Sequence, residues 1–179
     1  MMSGPEIVFA AAKFAARAHQ GQMRKDGATP YVSHPMRVCM TVTLVFDVHE
    51  PEVLAAALLH DTIEDTTTDF DDILEQFGPA VANFVQAMTK DKRLPDAERE
   101  ERYIQQLMTS GWPVQIIKLA DIYDNLSDMD GVSAEKRKRG IGRATYYLDR
   151  MKAGLTEESK RAFEIVQKRL DVASNVIAR

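Results

Sequence analysis

Apolar residues recur along the chain at helical spacing, as in Ile7, Val8, Ala11, Ala12, Ala15 and Ala16, and no convincing run of alternating polarity supports a strand. The pattern predicts an all-α fold. A first helix is expected from about Pro5 to His19, ending at Gly21, followed by a polar loop with Arg24, Lys25, Asp26, Gly27 and Pro30. Ser33 reads as an N-cap, with Pro35 near the first turn of a helix that runs to about Phe46. Pro51 starts the next helix, whose body from Val53 to Leu59 is almost wholly apolar before it turns abruptly acidic at His60, Asp61, Glu64 and Asp65.

Beyond that switch, Thr68 and Asp71 have the spacing of a capping box for a short helix that stops at Gly78, where Pro79 opens another to about Thr89. A loop with Lys90, Lys92, Arg93 and Pro95 breaks the pattern. Further helices are expected from about Asp96 to Ser110, Pro113 to Met129, Ser133 to Lys152 and Thr156 to the C-terminus, punctuated by Gly111, Gly131 and Gly154. The connections are short and no repeat or low-complexity tract interrupts them, which predicts one helical domain over 1–179.

Composition narrows the function classes. With 179 residues, 45% of them hydrophobic, the chain can bury one sizeable core but has little room for a second catalytic domain. The single cysteine, Cys39, lies in the apolar run Met36 to Phe46 and reads as core, so no disulfide framework is possible and a reducing compartment is expected. No stretch approaches the roughly 20 apolar residues that span a bilayer, and a soluble, cytoplasmic protein with no membrane partner is the expectation. A net charge of −4 argues against a broad nucleic-acid surface, which needs an excess of Lys and Arg. An anionic ligand must then meet a local basic patch or a metal.

The acidic switch carries the chemistry. Burying a carboxylate after Leu58 and Leu59 is costly unless a cation compensates, and imidazole nitrogen and carboxylate oxygen are both good ligands for a divalent metal. The plain alternative is a His and an Asp at a surface helix end. Two other residues stand in equally odd settings: Asp121 ends the apolar run from Val114, with Asn125 one turn later on the same face, and His34 sits at a helix start. Taken singly, Asp121 could pair with Lys118 and His34 could cap its helix. Lys136 to Arg139 reads as a solvated helix face or as a guide for an anionic substrate. His19 and His49 read as ordinary surface or helix-end residues.

The ordered set His34, His60-Asp61, Glu64-Asp65 and Leu119-Ala120-Asp121 with Asn125-Leu126 resembles the hydrolase domain of RelA/SpoT homologues, within the HD superfamily. The resemblance extends to the segments Phe14 to Gly27, Thr29 to Pro35, Ala55 to Thr66 and Phe77-Gly78, and spans roughly residues 6–155. It implies a small stand-alone alarmone hydrolase that converts ppGpp and pppGpp to GDP or GTP plus pyrophosphate, usually with Mn²⁺. Carried over by position, His34, His60, Asp61 and Asp121 become metal ligands, and Glu64 and Asp65 the pair that positions and deprotonates water.

Helix spacing agrees, since Glu64 lies four residues after His60 and Asp65 four after Asp61. Arg24 and Lys25 match the family's basic loop, Arg24 as a base-stacking group and Lys25 as a phosphate or ribose contact. Asn125, Arg143, Tyr146 and Tyr147 fall where the family contacts nucleotide, and Lys92 is a weaker candidate. Two positions depart from the pattern: Ile122 and Ser127 stand where the family commonly has cations. That bears on substrate preference and leaves the metal set intact. A phosphohydrolase for another 3′-phosphorylated or adenine nucleotide is the sister reading. A non-catalytic nucleotide sensor is disfavoured, because every expected ligand and both acids are present.

Overall fold

The apolar run predicted at Val53 to Leu59 becomes the central helix. The computed structural model describes residues 2–129 and 132–177, and in chain order its α-helices are α1 (Gly4–Ala18), α2 (Ser33–Leu44), α3 (Pro51–Leu59), α4 (Thr62–Asp65), α5 (Phe70–Met88), α6 (Asp96–Thr109), α7 (Trp112–Ser127), α8 (Ala134–Met151) and α9 (Glu157–Ile177). No strand occurs among the described residues, and the one isolated β-bridge, Met23 to Pro30, closes the loop after α1. Gly131, expected to separate two helices, lies outside the described residues.

A helix that is apolar all round must be surrounded, and α3 touches α1, α2, α5 and α7. Its Ala55, Ala56 and Ala57 are fully buried, as are Ala11 and Ala15 of the adjoining α1, and these small side chains let the two helices approach closely. At their N-terminal ends a Cβ on Gly4 would stand 2.8 Å from Pro51 Cγ. The second buried helix, α7, packs against α2 and α9 and carries Ile117, Leu119 and Ala120 with no exposure. Each fully buried Leu or Ile contributes about 1.5–3 kcal/mol. Buried Gln115 ties the α8 to α9 connection to this core, its Nε2 donating to Gly154 O at 2.9 Å and its Oε1 accepting from Thr156 N at 3.0 Å.

Several local expectations shift. The helix of α3 stops at Leu59, and His60 and Asp61 form a break before the single turn of α4. Polar side chains take over the last carbonyls of α3: His60 Nδ1 donates to Ala57 O at 2.9 Å and Thr62 Oγ1 to Leu59 O at 2.7 Å. Of the two four-residue spacings, the Asp61 to Asp65 one survives as a backbone bond of 2.9 Å. The capping box sits one residue later than expected, between Asp69 and Asp72, because Thr68 Oγ1 is engaged by Thr66 Oγ1. Ser33 is the first residue of α2 rather than its cap. Gly78, at φ 81°, kinks α5 where two helices were expected, and Pro79 restarts the turn.

Candidate metal centre and nucleotide cleft

Two helices and one interhelical break bring four candidate ligands toward a common point. His34 comes from the first turn of α2, His60 and Asp61 from the break after α3, and Asp121 from the middle of α7. One nitrogen or oxygen from each of His34, His60 and Asp121 lies within 4.8 Å of the others. Asp61 closes on the two imidazoles, its Oδ2 3.1 Å from His60 Nε2 and 3.6 Å from His34 Nε2, although it is not one of that trio. His34 Nε2 is 3.3 Å from Asp121 Oδ1.

The hydrogen bonds fix which nitrogens are free. His60 Nδ1 must be the donor to the Ala57 carbonyl, so Nε2 carries the lone pair, and that buried atom has no hydrogen-bond partner. His34 Nδ1 likewise donates to the Asp124 carboxylate at 2.7 Å, which turns its Nε2 toward Asp61 and Asp121. Two imidazole lone pairs and two carboxylates converging at a buried point fit a divalent cation by ligand type.

The carboxylates that would hold a cation also favour a proton on His34 and His60, a proton that metal binding would displace. Burial alone lowers the pKa of His34, but its hydrogen bonds to Asp121 and Asp124 and the nearby carboxylate charges outweigh that and push it up to about 9. For Asp61, burial favours the neutral acid, yet the neighbouring imidazoles of His60 and His34 hold it well below the usual carboxylate range. Asp121 is also held well below that range, because Lys118 and the two imidazoles outweigh its burial. The site is built to hold positive charge.

Around the ligands stands a layer of supporting side chains. Asp124 is buried and receives His34 Nδ1 on one side and Arg37 on the other, at 2.6 Å from Nε and 3.0 Å from Nη2. Tyr31 donates its hydroxyl to Asp61 Oδ2 at 2.6 Å. Lys118 Nζ is 2.8 Å from Asp121 Oδ2 and 4.4 Å from the Tyr147 ring centroid, so Asp121 pairs with Lys118 and joins the ligand cluster at once. Asn125 Nδ2 donates to Asp121 Oδ1 at 2.6 Å.

The two acids of α4 make different contacts. Glu64 Oε2 accepts from the backbone N–H of Lys90 at 3.0 Å, which ties it to the loop between α5 and α6. Asp65 is exposed and pairs with Lys92 Nζ at 3.1 Å. Lys92 therefore faces the acidic turn and is absent from the cleft lining.

A cleft of about 430 Å³ opens beside the ligands, between the loop after α1, α7 and α8. Arg24 and Lys25 come from the loop, Lys118 from α7, and Lys136, Arg137, Arg139 and Arg143 from α8, against the acids Asp26, Asp121 and Asp128. Burial lowers the pKa of Lys25, and the positive charges of Arg24, Arg143 and Lys136 lower it further, the mark of cations crowded around a space for an anion. Arg24 is held by Asp128 at 2.7 Å and lies 5.6 Å from the centroid of the Tyr31 ring. Asn125 and Tyr147 line the cleft, whereas Tyr146 does not and instead packs under Arg150 at 3.9 Å.

Known proteins place the chain. The family model described as HD domain matches residues 11–148. The chain belongs to the HD domain family. This HD domain is 38% identical over 134 residues to the guanosine-3′,5′-bis(diphosphate) 3′-pyrophosphohydrolase MESH1 of Danio rerio, covering 74% of each chain. It is 42% identical over 126 residues to MESH1 of Homo sapiens, covering 70% of each. A solved structure of a metazoan orthologue of SpoT that hydrolyzes ppGpp and plays a role in starvation responses superposes with a TM-score of 0.76 at 33% identity, covering 91% of this chain and 95% of that one. An HD-type hydrolase implies a divalent metal.

Within this HD domain, the residues that escaped the sequence reading are the supporting ones. Asp124 and Arg37 had a faint signal, since each lies one helical turn beyond a predicted ligand, Asp121 and His34 respectively. His19, read as a surface or helix-end residue, does end α1 but is buried at 2% exposure, while His49 is exposed. Lys136 and Arg139, read as mainly a solvated face, line the cleft. Of the two departures, Ile122 forms a buried part of the cleft wall, and Ser127 Oγ accepts from Arg169 Nε of α9 at 2.9 Å. A cation thus reaches the end of α7 from another helix. No helix among the described residues is long and apolar enough to cross a membrane.

Proposed function

We propose that this chain hydrolyses guanosine 3′,5′-bis(diphosphate) and its pentaphosphate relative to GDP or GTP and pyrophosphate, with Mn²⁺ as the cation held by His34, His60, Asp61 and Asp121. The observation that carries this reading is Asp121, which belongs both to the ligand cluster and to the wall of the cationic cleft. A polyanion lying in the cleft thereby reaches the ligand cluster with its phosphates. The MESH1 relatives bear the name of this activity.

When bound, the cation supplies a Lewis acid for a phosphoryl oxygen and a water of lowered pKa. The chain's own residues do the rest. Asp124 and the Ala57 carbonyl keep the Nδ1 protons on His34 and His60, so each Nε2 stays a ligand. Glu64, oriented by the Lys90 N–H, takes the proton of the attacking water, with Asp65 beside it in the same turn. Water adds to the phosphorus on the 3′-oxygen, the bond to that oxygen breaks, and pyrophosphate leaves while the 3′-hydroxyl is restored. Lys25, Asn125, Arg143 and Tyr147 line the nucleotide's side of the cleft, and Arg24, braced by Asp128, presents its guanidinium plane to the base. Tyr146 has no direct role in this arrangement.

The test is incubation of protein reconstituted with Mn²⁺, Fe²⁺ or Zn²⁺ against guanine and adenine nucleotides carrying 3′-phosphate or 3′-diphosphate, followed by chromatography of products. GDP and pyrophosphate in equal amounts are expected. Stepwise release of orthophosphate, or turnover of the adenine compounds alone, would overturn the assignment.

A further inference from the structure

The acidic turn of α4 is too short to hold itself: four residues form one helical turn, and an isolated turn is unfavourable without outside contacts. Its last carbonyls are satisfied from two distant loops. Lys92 Nζ donates to Glu64 O, and Gln22 Nε2 donates to Asp65 O at 2.8 Å. The Gln22 contact in turn leads to a buried histidine. Because the Gln22 amide nitrogen faces a carbonyl, its Oε1 must be the atom 2.8 Å from His19 Nδ1, so Nδ1 carries the proton and donates.

His19 is 2% exposed and its Nε2 is buried with no hydrogen-bond partner. A polar ring kept in such a place makes one side-chain hydrogen bond, and that bond goes to Gln22. Its ring centroid lies 4.9 Å from that of Tyr31, the two planes tilted by 40°, and the Tyr31 hydroxyl donates to Asp61. Tyr31 N also donates to Gln22 O at 2.8 Å, closing the loop that presents Arg24 and Lys25. The substrate loop, the ligand Asp61 and the acidic turn therefore meet at one point.

We infer that His19 and Gln22 are positioning residues that latch the Glu64-Asp65 turn in place against the metal centre. The purpose of the latch rests on the proposed role of those two acids, whereas its existence does not. Displacing a catalytic group by about 1 Å can cost on the order of 10²-fold in rate, so the latch acts on turnover rather than on nucleotide binding.

Amide hydrogen exchange and steady-state kinetics on Gln22→Ala and Gln22→Glu separate the two. Gln22 is only partly buried, so neither change threatens folding. The latch predicts faster exchange at the Asp65 and Thr66 amides, whose backbone bonds to Asp61 and Thr62 build the turn, with the global melting temperature little changed. It also predicts a fall in kcat of about 10–100-fold, KM within about threefold and full metal content. Unchanged exchange overturns the latch whatever the rate does. Loss of metal overturns it as well, since the effect would then run through Asp61. Faster exchange with unchanged kcat overturns its positioning role, and Glu64→Gln measured alongside shows whether the acid pair itself was misassigned. For His19, the Asn variant places an amide nitrogen where Nδ1 stands and the Gln variant does not. His19→Asn is expected to recover most of the rate lost in His19→Gln, and equal rates in the two would overturn the role of that bond.

Discussion

Asp124 and His34, ninety residues apart, share a buried 2.7 Å hydrogen bond, and Arg37 holds the same carboxylate from its far side. The bond fixes the proton on Nδ1 and aims Nε2 at Asp61 and Asp121. Supporting partners of this kind typically carry about 10–100-fold in metal affinity. Asp124→Asn is expected to weaken metal binding by about that factor while kcat at saturating metal changes far less. Titration of metal-free protein with Mn²⁺, followed by turnover at excess metal, checks it. An unaltered affinity would show that His34 needs no such partner.

His60→Ala and Asp121→Ala remove a ligand outright. Both metal content and turnover should be lost, as read by elemental analysis beside product formation. If Asp121→Ala kept stoichiometric metal and a near-normal rate, the ligand assignment would be wrong.

Glu64→Gln keeps the side chain's size and its acceptor for the Lys90 N–H but removes the base. Metal content and KM should persist while kcat falls by on the order of 10²–10⁴. Asp65→Asn should act in the same direction, and the double variant should cost less than the product of the two if both serve one water. A rate within a few-fold of wild type for Glu64→Gln would remove it from the mechanism.

Arg24 is braced by Asp128 and, in its proposed role, meets the base rather than the reacting phosphorus, so it contributes alike to ground and transition states. Arg24→Ala should raise KM by roughly 2–30-fold, as loss of a cation–π stacking contact worth about 0.5–2 kcal/mol suggests, with little change in kcat. A large drop in kcat at constant KM would contradict the role.

Asp26 shapes the loop that carries Arg24 and Lys25. Its carboxylate accepts from the backbone N–H groups of Ala28 and Thr29, each at 2.9 Å, and from the Thr29 hydroxyl at 2.6 Å. The Thr29 hydroxyl and these N–H groups lower its pKa from 3.8 to about 2. A depressed carboxyl stabilises the folded loop above its ordinary pKa, and that contribution is lost progressively as pH falls from 3.8 through about 2. NMR titration between pH 3 and 5 should find Asp26 mainly ionised throughout. A midpoint near the ordinary value would mean the loop is open in solution.

The helices and the principal ligands were legible because both signals are local. Helical periodicity marks α1, α3 and α7 within a few turns of chain, and a carboxylate delivered by a largely apolar helix, as at Asp61 and Asp121, is costly enough to call for a compensating cation, which for Asp121 includes Lys118 one turn back. The fine boundaries were less legible. Whether α3 continues through His60 depends on Thr62 and His60 outcompeting backbone N–H groups for the last carbonyls, and whether Thr68 or Asp69 caps α5 depends on where the Thr68 hydroxyl already points.

What the sequence determined by itself, then, was an all-α chain, with His34, His60-Asp61 and Asp121 as candidate ligands and Glu64-Asp65 as a candidate acidic pair. Only the tertiary structure decided what stands behind those residues: Asp124 and Arg37 under His34, Tyr31 on Asp61, and His19 through Gln22 on the acidic turn. It also turned Lys136 and Arg139 into the cleft and brought Arg169 to Ser127. The physical reason is range. Propensity, periodicity and the cost of a buried charge act within a few residues, whereas the partner of a buried polar atom is chosen by which helices pack together, and those choices span distances that no local pattern along the chain encodes.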